Sequence, residues 1–162
     1  MEEAPSEHRP ARLLQRAIAL LARREHSRIE LTRKLERRLE DGQDRGDIEA
    51  VLDELERRKL LSEERFAASV LHARSARYGE MRLARDLQVR GVPADVARSA
   101  LDAIRGSELE RARAQWSRRF KSLPASLEER ARQVRFLEAR GFNSSVIRRV
   151  LAGAASSDEE GV

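Results

Sequence analysis

The sequence predicts an all-α protein made of three tandem three-helix repeats that form an elongated, slightly curved array. Three observations predict it. Capping residues mark helix starts, apolar residues recur with a period near 3.6, and an Arg-Gly-apolar motif ends two helices 50 residues apart. Charged residues make up 38% of the chain and aromatic residues only 4%, a composition typical of solvated helices rather than of sheets.

Helix starts are marked by Ser followed three positions later by Glu, because each side chain can then accept a hydrogen bond from the other residue's backbone N–H. Ser27, Ser107 and Ser126 begin such capping boxes, and Ser62 followed by two Glu residues is a weaker start. Together with the apolar spacing, these signals predict nine helices, near residues 11–24, 27–40, 47–59, 62–77, 79–90, 94–105, 107–120, 126–140 and 144–153.

Two helix ends share one motif. Gly91 and Gly141 each follow an Arg and precede an apolar residue, and glycine readily takes the left-handed conformation that ends a helix. The third helices of the repeats also align, with Ile48, Val51, Leu52 and Leu55 matching Ala97, Ala100, Leu101 and Ile104, and then Ile147, Val150, Leu151 and Ala154. Chance similarity of amphipathic helices explains part of this match, but not the shared helix order and Arg-Gly-apolar ending.

The alignment divides the chain into three repeats with acidic ends. The predicted parts are a loose N-terminus at 1–10, helical repeats at 11–60, 61–105 and 106–153, and an acidic disordered tail at 154–162. A unit of roughly 45 residues has a marginal core, so each repeat is expected to pack against its neighbour. The polar segment 41–47 makes the first repeat longer than the others.

The charge distribution favours an anionic partner. Residues 9–152 carry a net charge of +11, and 30 of the 33 basic residues are Arg, whose planar guanidinium suits bidentate contact with phosphate or carboxylate. A GC-rich genome also explains the preference for Arg over Lys. The chain has no cysteine, no long apolar run and an acidic rather than signal-like start, so a cytoplasmic protein is expected.

The residues for catalysis are sparse. His8, His26 and His72 have no partner suggested by spacing, and the Asp-rich segment 41–47 lacks a calcium loop's final Glu, because Leu52 stands there. The glycine-rich phosphate-binding motifs are also missing. We therefore expect no enzyme activity, no cofactor and no metal.

The second helix of each repeat carries basic residues on the side away from its leucines, which predicts a repeated basic ridge. The candidate binding residues are Arg23, Arg24, Arg28, Arg33, Lys34, Arg37, Arg38, Tyr78, Arg82, Arg85, Arg90, Arg132, Arg135 and Arg140. For any single Arg the alternative is a solvated face paired with Glu36 or Asp86. Trp116 and Phe120 are i, i+4 neighbours, and a core anchor is favoured over stacking on bases.

Four segments in this order resemble the RecX family, regulatory proteins that modulate the RecA recombinase. The resemblance spans residues 13–152 and leaves the acidic ends outside. It rests on ALLARREHSRIELTRKL (19–35), LLSEERFA (60–67), Tyr78-Gly79 followed by L-x-x-x-L-x-x-R-G-V (83–92), and F-L-x-x-R-G-F (136–142).

The resemblance implies a modular helical protein that binds in the groove of a RecA filament on single-stranded DNA. It further implies inhibition of ATP hydrolysis, strand exchange and co-protease activity toward the LexA repressor, and thereby a role in recombination, DNA repair and the SOS response. A monomer with weak, unselective affinity for single-stranded DNA is expected. The alternatives are an independent DNA-binding protein with a helix-turn-helix-like element, and a helical scaffold for another protein.

Overall fold

The computed structural model describes residues 8–153, and nine α-helices lie within them. Their bounds are α1 His8–Leu21, α2 Arg28–Glu36, α3 Arg45–Arg57, α4 Glu63–Arg74, α5 Glu80–Val89, α6 Ala94–Ile104, α7 Glu108–Arg119, α8 Leu127–Ala139 and α9 Ser144–Leu151. All nine predicted helices are confirmed. The expectations for the chain ends at residues 1–7 and 154–162 lie outside the described residues, and the slight curvature stays a prediction.

The boundaries differ most in the first repeat. α1 begins at His8 rather than at residue 11, and α3 begins at Arg45 rather than at residue 47. α3 starts earlier because Asp44 caps it, in a reciprocal capping box with Asp47 inside the predicted loop. α2 ends at Glu36, four residues before its predicted end.

The predicted side-chain cap is confirmed at three of the four serine starts. The side chains of Ser27, Ser62 and Ser126 each accept a hydrogen bond from the backbone N–H three residues on. The capping box at Ser107 is wrong, because a 3-10 turn over Arg105–Ser107 leads directly into α7 and the Ser107 hydroxyl donates to the Ile104 carbonyl oxygen instead. The next residue, Glu108, accepts a hydrogen bond from the second repeat.

Each repeat has a hydrophobic core of its own. We call the three repeats units 1, 2 and 3, with α1–α3, α4–α6 and α7–α9. The buried clusters are Leu13, Ala17, Leu31, Leu35, Ile48, Val51, Leu52, Leu55 and Leu61 in the first; Phe66, Ala67, Val70, Leu71, Leu83, Leu87, Val92 and Leu101 in the second; and Ala112, Leu137, Phe142, Val146, Ile147, Val150 and Leu151 in the third. Trp116 packs against the third cluster and donates from Nε1 to Gln133 Oε1, as expected for a core anchor. Since no core crosses a boundary, the relative placement of the units depends on the joints between them.

Units 2 and 3 are joined through their backbones. The amides of Gly79 and Met81 at the start of α5 donate to the carbonyl oxygens of Arg140 (2.8 Å) and Gly141 (3.1 Å) at the end of α8. A Cβ on Gly79 would lie 2.4 Å from the backbone nitrogen of Phe142, so only glycine permits this approach. The Arg-Gly motif, predicted as a helix ending with left-handed glycine (φ +80° at Gly141), is therefore also a docking element.

Units 1 and 2 are joined at equivalent positions but through side chains. The Ser27 hydroxyl at the start of α2 donates to the carbonyl oxygen of Arg90 (2.8 Å) at the end of α5, in place of the direct amide contact of the other joint. Gly91, also left-handed at φ +78°, faces Ile29, whose Cδ1 would lie 2.4 Å from an added Cβ. The Ser27 side chain therefore makes the contact that backbone amides make in the joint between units 2 and 3.

A glutamate at the start of α4 and another at the start of α7 complete the two joints. Glu63 Oε1 accepts from the Arg28 amide (2.7 Å), and Glu108 Oε1 accepts from the Glu80 amide (3.0 Å). The second oxygen of Glu108 accepts from Asn143 Nδ2, whereas Oε2 of Glu63 is buried without a hydrogen-bond partner among the described residues. Burial is the main cause that raises the pKa of Glu63. The joint between units 2 and 3 is therefore the better satisfied.

Candidate partner-binding surface

The three second helices present one Arg each at the same position of the repeat. Arg33, Arg85 and Arg135 each lie midway between two buried residues of α2, α5 and α8; these pairs are Leu31 and Leu35, Leu83 and Leu87, and Gln133 and Leu137. With 100° per residue in an α-helix, that position points directly away from the core. All three side chains are exposed and make no hydrogen bond or ion pair with another described residue.

Four more of the predicted binding residues are also available at the surface. Their side chains are exposed and have no polar partner within residues 8–153. They are Arg23, Arg37, Arg38 and Arg132. Arg132 lies in α8, one turn before Arg135, and Arg37 lies at the C-terminal cap of α2. We call these seven exposed arginines the basic surface of the second helices, with Arg23 and Arg38 in the turns before and after α2.

Arg28, by contrast, holds α2 against α3. Its guanidinium forms ion pairs with three carboxylates of α3, those of Glu49 (2.6 Å), Asp53 (2.7 Å) and Glu56 (3.0 Å). Burial disfavours the charged form, but the hydrogen bonds to these carboxylates outweigh it and raise the pKa of Arg28. Arg28 is therefore a structural residue of unit 1.

Three further predicted residues, Arg24, Lys34 and Arg90, have polar partners at or near the start of α2, and Arg90 reaches its partner across the joint. Glu30 pairs with Arg24 (2.9 Å) and, across the joint, with Arg90 (3.6 Å). The Lys34 ammonium lies 2.8 Å from Nε2 of the buried His26, whose Nδ1 faces the Arg24 carbonyl oxygen. Burial, with the nearby Arg24 and Lys34 charges, lowers the pKa of His26, which favours the neutral ring. In the neutral tautomer that carries its proton on Nδ1, Nε2 accepts from the Lys34 ammonium.

Tyr78, Arg82 and Arg140 belong to the joint between units 2 and 3. The guanidinium of Arg74 lies 4.8 Å from the centre of the Tyr78 ring, and that of Arg82 lies 4.3 Å from it. Arg82 also donates to the Ala139 carbonyl oxygen across the joint. Arg140 stacks 3.9 Å from the centre of the Phe136 ring. These contacts restrict the conformations of the charged side chains, so the side chains are less available to contact a partner.

Sequence reasoning did not identify two polar residues that anchor unit 3, the half-buried Arg111 and the buried Gln115. Arg111 Nη1 donates to the carbonyl oxygens of Ser75 and Tyr78 (both 2.7 Å), and Gln115 Nε2 donates to that of Ala76 (2.9 Å). Burial lowers the pKa of Arg111. The available signal was position, because both side chains lie on the face of α7 that also carries the buried Glu108 and Ala112.

The described residues contain no group of three or more His, Cys, Asp and Glu placed to hold a metal ion. None of the helices described is both long enough and apolar enough to cross a membrane. The exposed arginines without a polar partner in the described chain are the candidate binding feature that the sequence predicted.

The fold and these side chains define a tandem-repeat helical protein with an exposed arginine on the outer face of the second helix of each unit. Family models for the second and third three-helix domains of RecX match residues 62–101 and 107–151. A curated relative from Leptothrix cholodnii, named Regulatory protein RecX, is 53% identical over 136 residues, which are 84% of this chain and 85% of the relative. The protein of the same name from Ralstonia nicotianae is 43% identical over 152 residues, 94% of each chain.

The chain belongs to the RecX family of regulatory proteins. The crystal structure of RecX from Lactobacillus salivarius has the same fold, with a TM-score of 0.79 at 16% identity over 90% of this chain and 96% of that one. The resemblance drawn from the four sequence segments is thereby confirmed, as is the all-helical repeat architecture. The relatives are named as regulatory proteins and not as enzymes.

Proposed function

We propose that the protein binds the RecA filament on single-stranded DNA and inhibits its ATPase, strand-exchange and co-protease activities. Through this inhibition it modulates recombination, DNA repair and the SOS response in the cytoplasm. Family membership supports a regulatory role, and the observation that carries the proposal is the recurrence of Arg33, Arg85 and Arg135 at one position of three joined units. A repeated cation suits a partner that is itself repetitive, as a filament is.

The joints strengthen this interpretation. Because both joints are closed by hydrogen bonds, the three arginines are held on units whose relative placement is restricted. Binding at one unit then raises the effective concentration of the other two at their sites on the filament. Several weak contacts to phosphate or carboxylate add up in this way, while a single unit binds poorly.

The test compares two charge-reversal variants with wild-type protein in the DNA-dependent ATPase assay of RecA. One variant replaces Arg33, Arg85 and Arg135 by Glu. The matched control replaces Arg98, Arg118 and Arg148, exposed residues of α6, α7 and α9 without a polar partner among the described residues. Both variants change the net charge equally, so a difference in their inhibition of the ATPase depends on where the arginines lie and not on the total charge.

Wild-type protein is expected to suppress the ATPase at concentrations well below those that coat the DNA. With about 1 kcal/mol lost per contact, the second-helix variant requires roughly 100-fold more protein, and the control variant stays within a few-fold of wild type. Absence of suppression by folded wild-type protein refutes the function. Equal losses in both variants refute the placement of the surface. Tight, sequence-selective duplex binding without RecA favours the independent DNA-binding alternative instead.

A further inference from the structure

The outer face of α5 differs from those of the other two second helices. Met81, Arg85 and Val89 are spaced four residues apart and therefore lie on successive turns of one face. The exposed fractions of Met81 and Val89 are 65% and 71%, high values for large apolar side chains. We call these three residues the α5 patch.

The equivalent positions in units 1 and 3 carry different side chains. On α2 they are Ile29, Arg33 and Arg37, and on α8 they are Ala131, Arg135 and Ala139. Ile29 is less exposed, at 42%, because it packs against Gly91 at the joint. Among the described second helices, only α5 flanks its central Arg with two strongly exposed large apolar residues.

The neighbourhood of the α5 patch leaves Arg85 as its available cation. Arg82 is held over the Tyr78 ring, and Asp86 is paired with Arg74 at 2.7 Å. Met81 and Arg85 of the patch also line a groove of about 460 Å³ at the joint with unit 3. Its other lining residues are Arg82, Asp86, Glu138, Ala139 and Gly141. The patch is therefore an unpaired positive charge between two apolar side chains, next to a depression that can receive part of a partner.

This combination fits protein better than nucleic-acid backbone. Phosphate contacts use cations and polar donors, to which a thioether and an isopropyl group add nothing. Exposed apolar side chains around a charged centre are typical of protein interfaces, where apolar groups are buried and the charge finds an opposite one. The complement of the α5 patch is a carboxylate flanked by apolar side chains.

We propose that the α5 patch docks an apolar and acidic segment on the protein subunits of the filament. The proposal rests on the proposed function and assigns to the middle unit the contact with protein. Arg85 pairs with the carboxylate of that segment, while Met81 and Val89 bury its apolar neighbours. The equivalent faces of α2 and α8 lack a pair of strongly exposed large apolar side chains.

The test variant is Met81→Gln with Val89→Gln, which removes the apolar character without changing charge or introducing a poor helix former. The matched control is Leu127→Gln at the start of α8, because Leu127 is 86% exposed and lies on another unit. Arg85→Glu is the second variant. Each protein is measured for inhibition of the RecA ATPase and, at the same salt concentration, for affinity to single-stranded DNA without RecA.

The double variant is expected to require about tenfold more protein for half-inhibition, with its DNA affinity within twofold of wild type. Arg85→Glu should also weaken inhibition, and Leu127→Gln should act as wild type. Unchanged inhibition by the double variant overturns the docking site while the proposed function stands. Equal losses of inhibition and DNA affinity, or an equal loss in the Leu127 control, overturn it as well. Failure of wild-type protein to inhibit overturns the proposed function itself.

Discussion

Gly79→Ala should separate unit 3 from unit 2 without unfolding either unit. The backbone of Gly79 has φ −82° and ψ 172°, which alanine adopts without strain, so the change acts through space rather than through conformation. The added Cβ lies 2.4 Å from the Phe142 nitrogen and 2.5 Å from the Gly141 carbonyl group. All of these neighbours are backbone atoms, so the joint must open by about 1 Å to restore an ordinary van der Waals distance.

Opening by that distance lengthens the amide contacts from Gly79 to Arg140 and from Met81 to Gly141, now 2.8 and 3.1 Å, beyond hydrogen-bonding range. Each hydrogen bond contributes about 0.5–1.5 kcal/mol, and buried groups left unpaired add to the loss. The coupling between the units should therefore fall by about 2–4 kcal/mol. The core of unit 2, which includes Leu83 and Leu87, should keep its stability.

Amide hydrogen exchange measures this directly. The amides of Gly79 (as Ala in the variant) and Met81 should exchange roughly 30-fold to 1000-fold faster, while the amide of Leu87 within α5 should be unaffected. Gly106→Ala is the control, because an added Cβ there meets nothing within 4 Å. Gly79→Ser should lower the coupling between units 2 and 3 less than Gly79→Ala does. The serine hydroxyl can donate to the Arg140 carbonyl oxygen, as the Ser27 hydroxyl donates to that of Arg90 in the other joint.

Equal exchange rates in Gly79→Ala and Gly106→Ala would refute the assignment of the joint to this backbone contact. Faster exchange throughout unit 2, including Leu87, would show that the units are one cooperative structure and that the joint is not a separate element.

Three further predictions concern Ser27 at the other joint and the acidic residues of both joints. Ser27→Ala should lower the free energy of unfolding, measured by urea titration, by about 2–3 kcal/mol, because it removes both the cap to the Glu30 amide and the hydrogen bond to the Arg90 carbonyl oxygen. Ser126→Ala is the control, because it removes only a helix cap and should cost about 1 kcal/mol. Equal losses in the two variants would contradict a role of Ser27 in the joint. The raised pKa of Glu63 means that its contribution to stability is present below its ordinary value of 4.5 and is lost as pH rises through the higher folded value. In Glu63→Gln, the free energy of unfolding should therefore fall less steeply above pH 4.5 than it does in wild-type protein. Glu108→Gln should instead lower the free energy of unfolding by about 1–3 kcal/mol at neutral pH. The carboxylate accepts from two donors, the Glu80 N–H and Asn143 Nδ2, and the NH2 group of a glutamine would face one of them as a second donor. An unchanged free energy of unfolding would mean that the joint does not require the carboxylate.

The helices were predictable because their signals are local. Ser27 and Ser126 cap backbone groups three residues away, and Gly91 and Gly141 take left-handed conformations at helix ends, as their sequence neighbours indicate. Ser107 shows the limit of such reasoning. Its spacing to a Glu matches that of the other boxes, yet a 3-10 turn joins α6 to α7 and leaves no separate start to cap.

The candidate site was predictable only in part, because charge is visible in sequence and pairing is not. Arg28 and Arg33 both lie on α2 with basic and acidic neighbours. One is held by three carboxylates of α3, and the other is exposed without a polar partner in the described chain. The α3 carboxylates lie more than twenty residues from Arg28, so helix packing rather than local pattern decides the pairing.

The sequence by itself determined the nine helices found within residues 8–153, the three-fold repeat, the family and the basic character, because each depends on residues close together or on counts along the chain. The tertiary structure alone decided which cations are structural, that the Arg-Gly helix ends are docking elements, and that the two joints differ. The reason is geometric. Hydrogen bonds such as Gly79 to Arg140 join residues far apart in the chain, and they form only once the helices have packed.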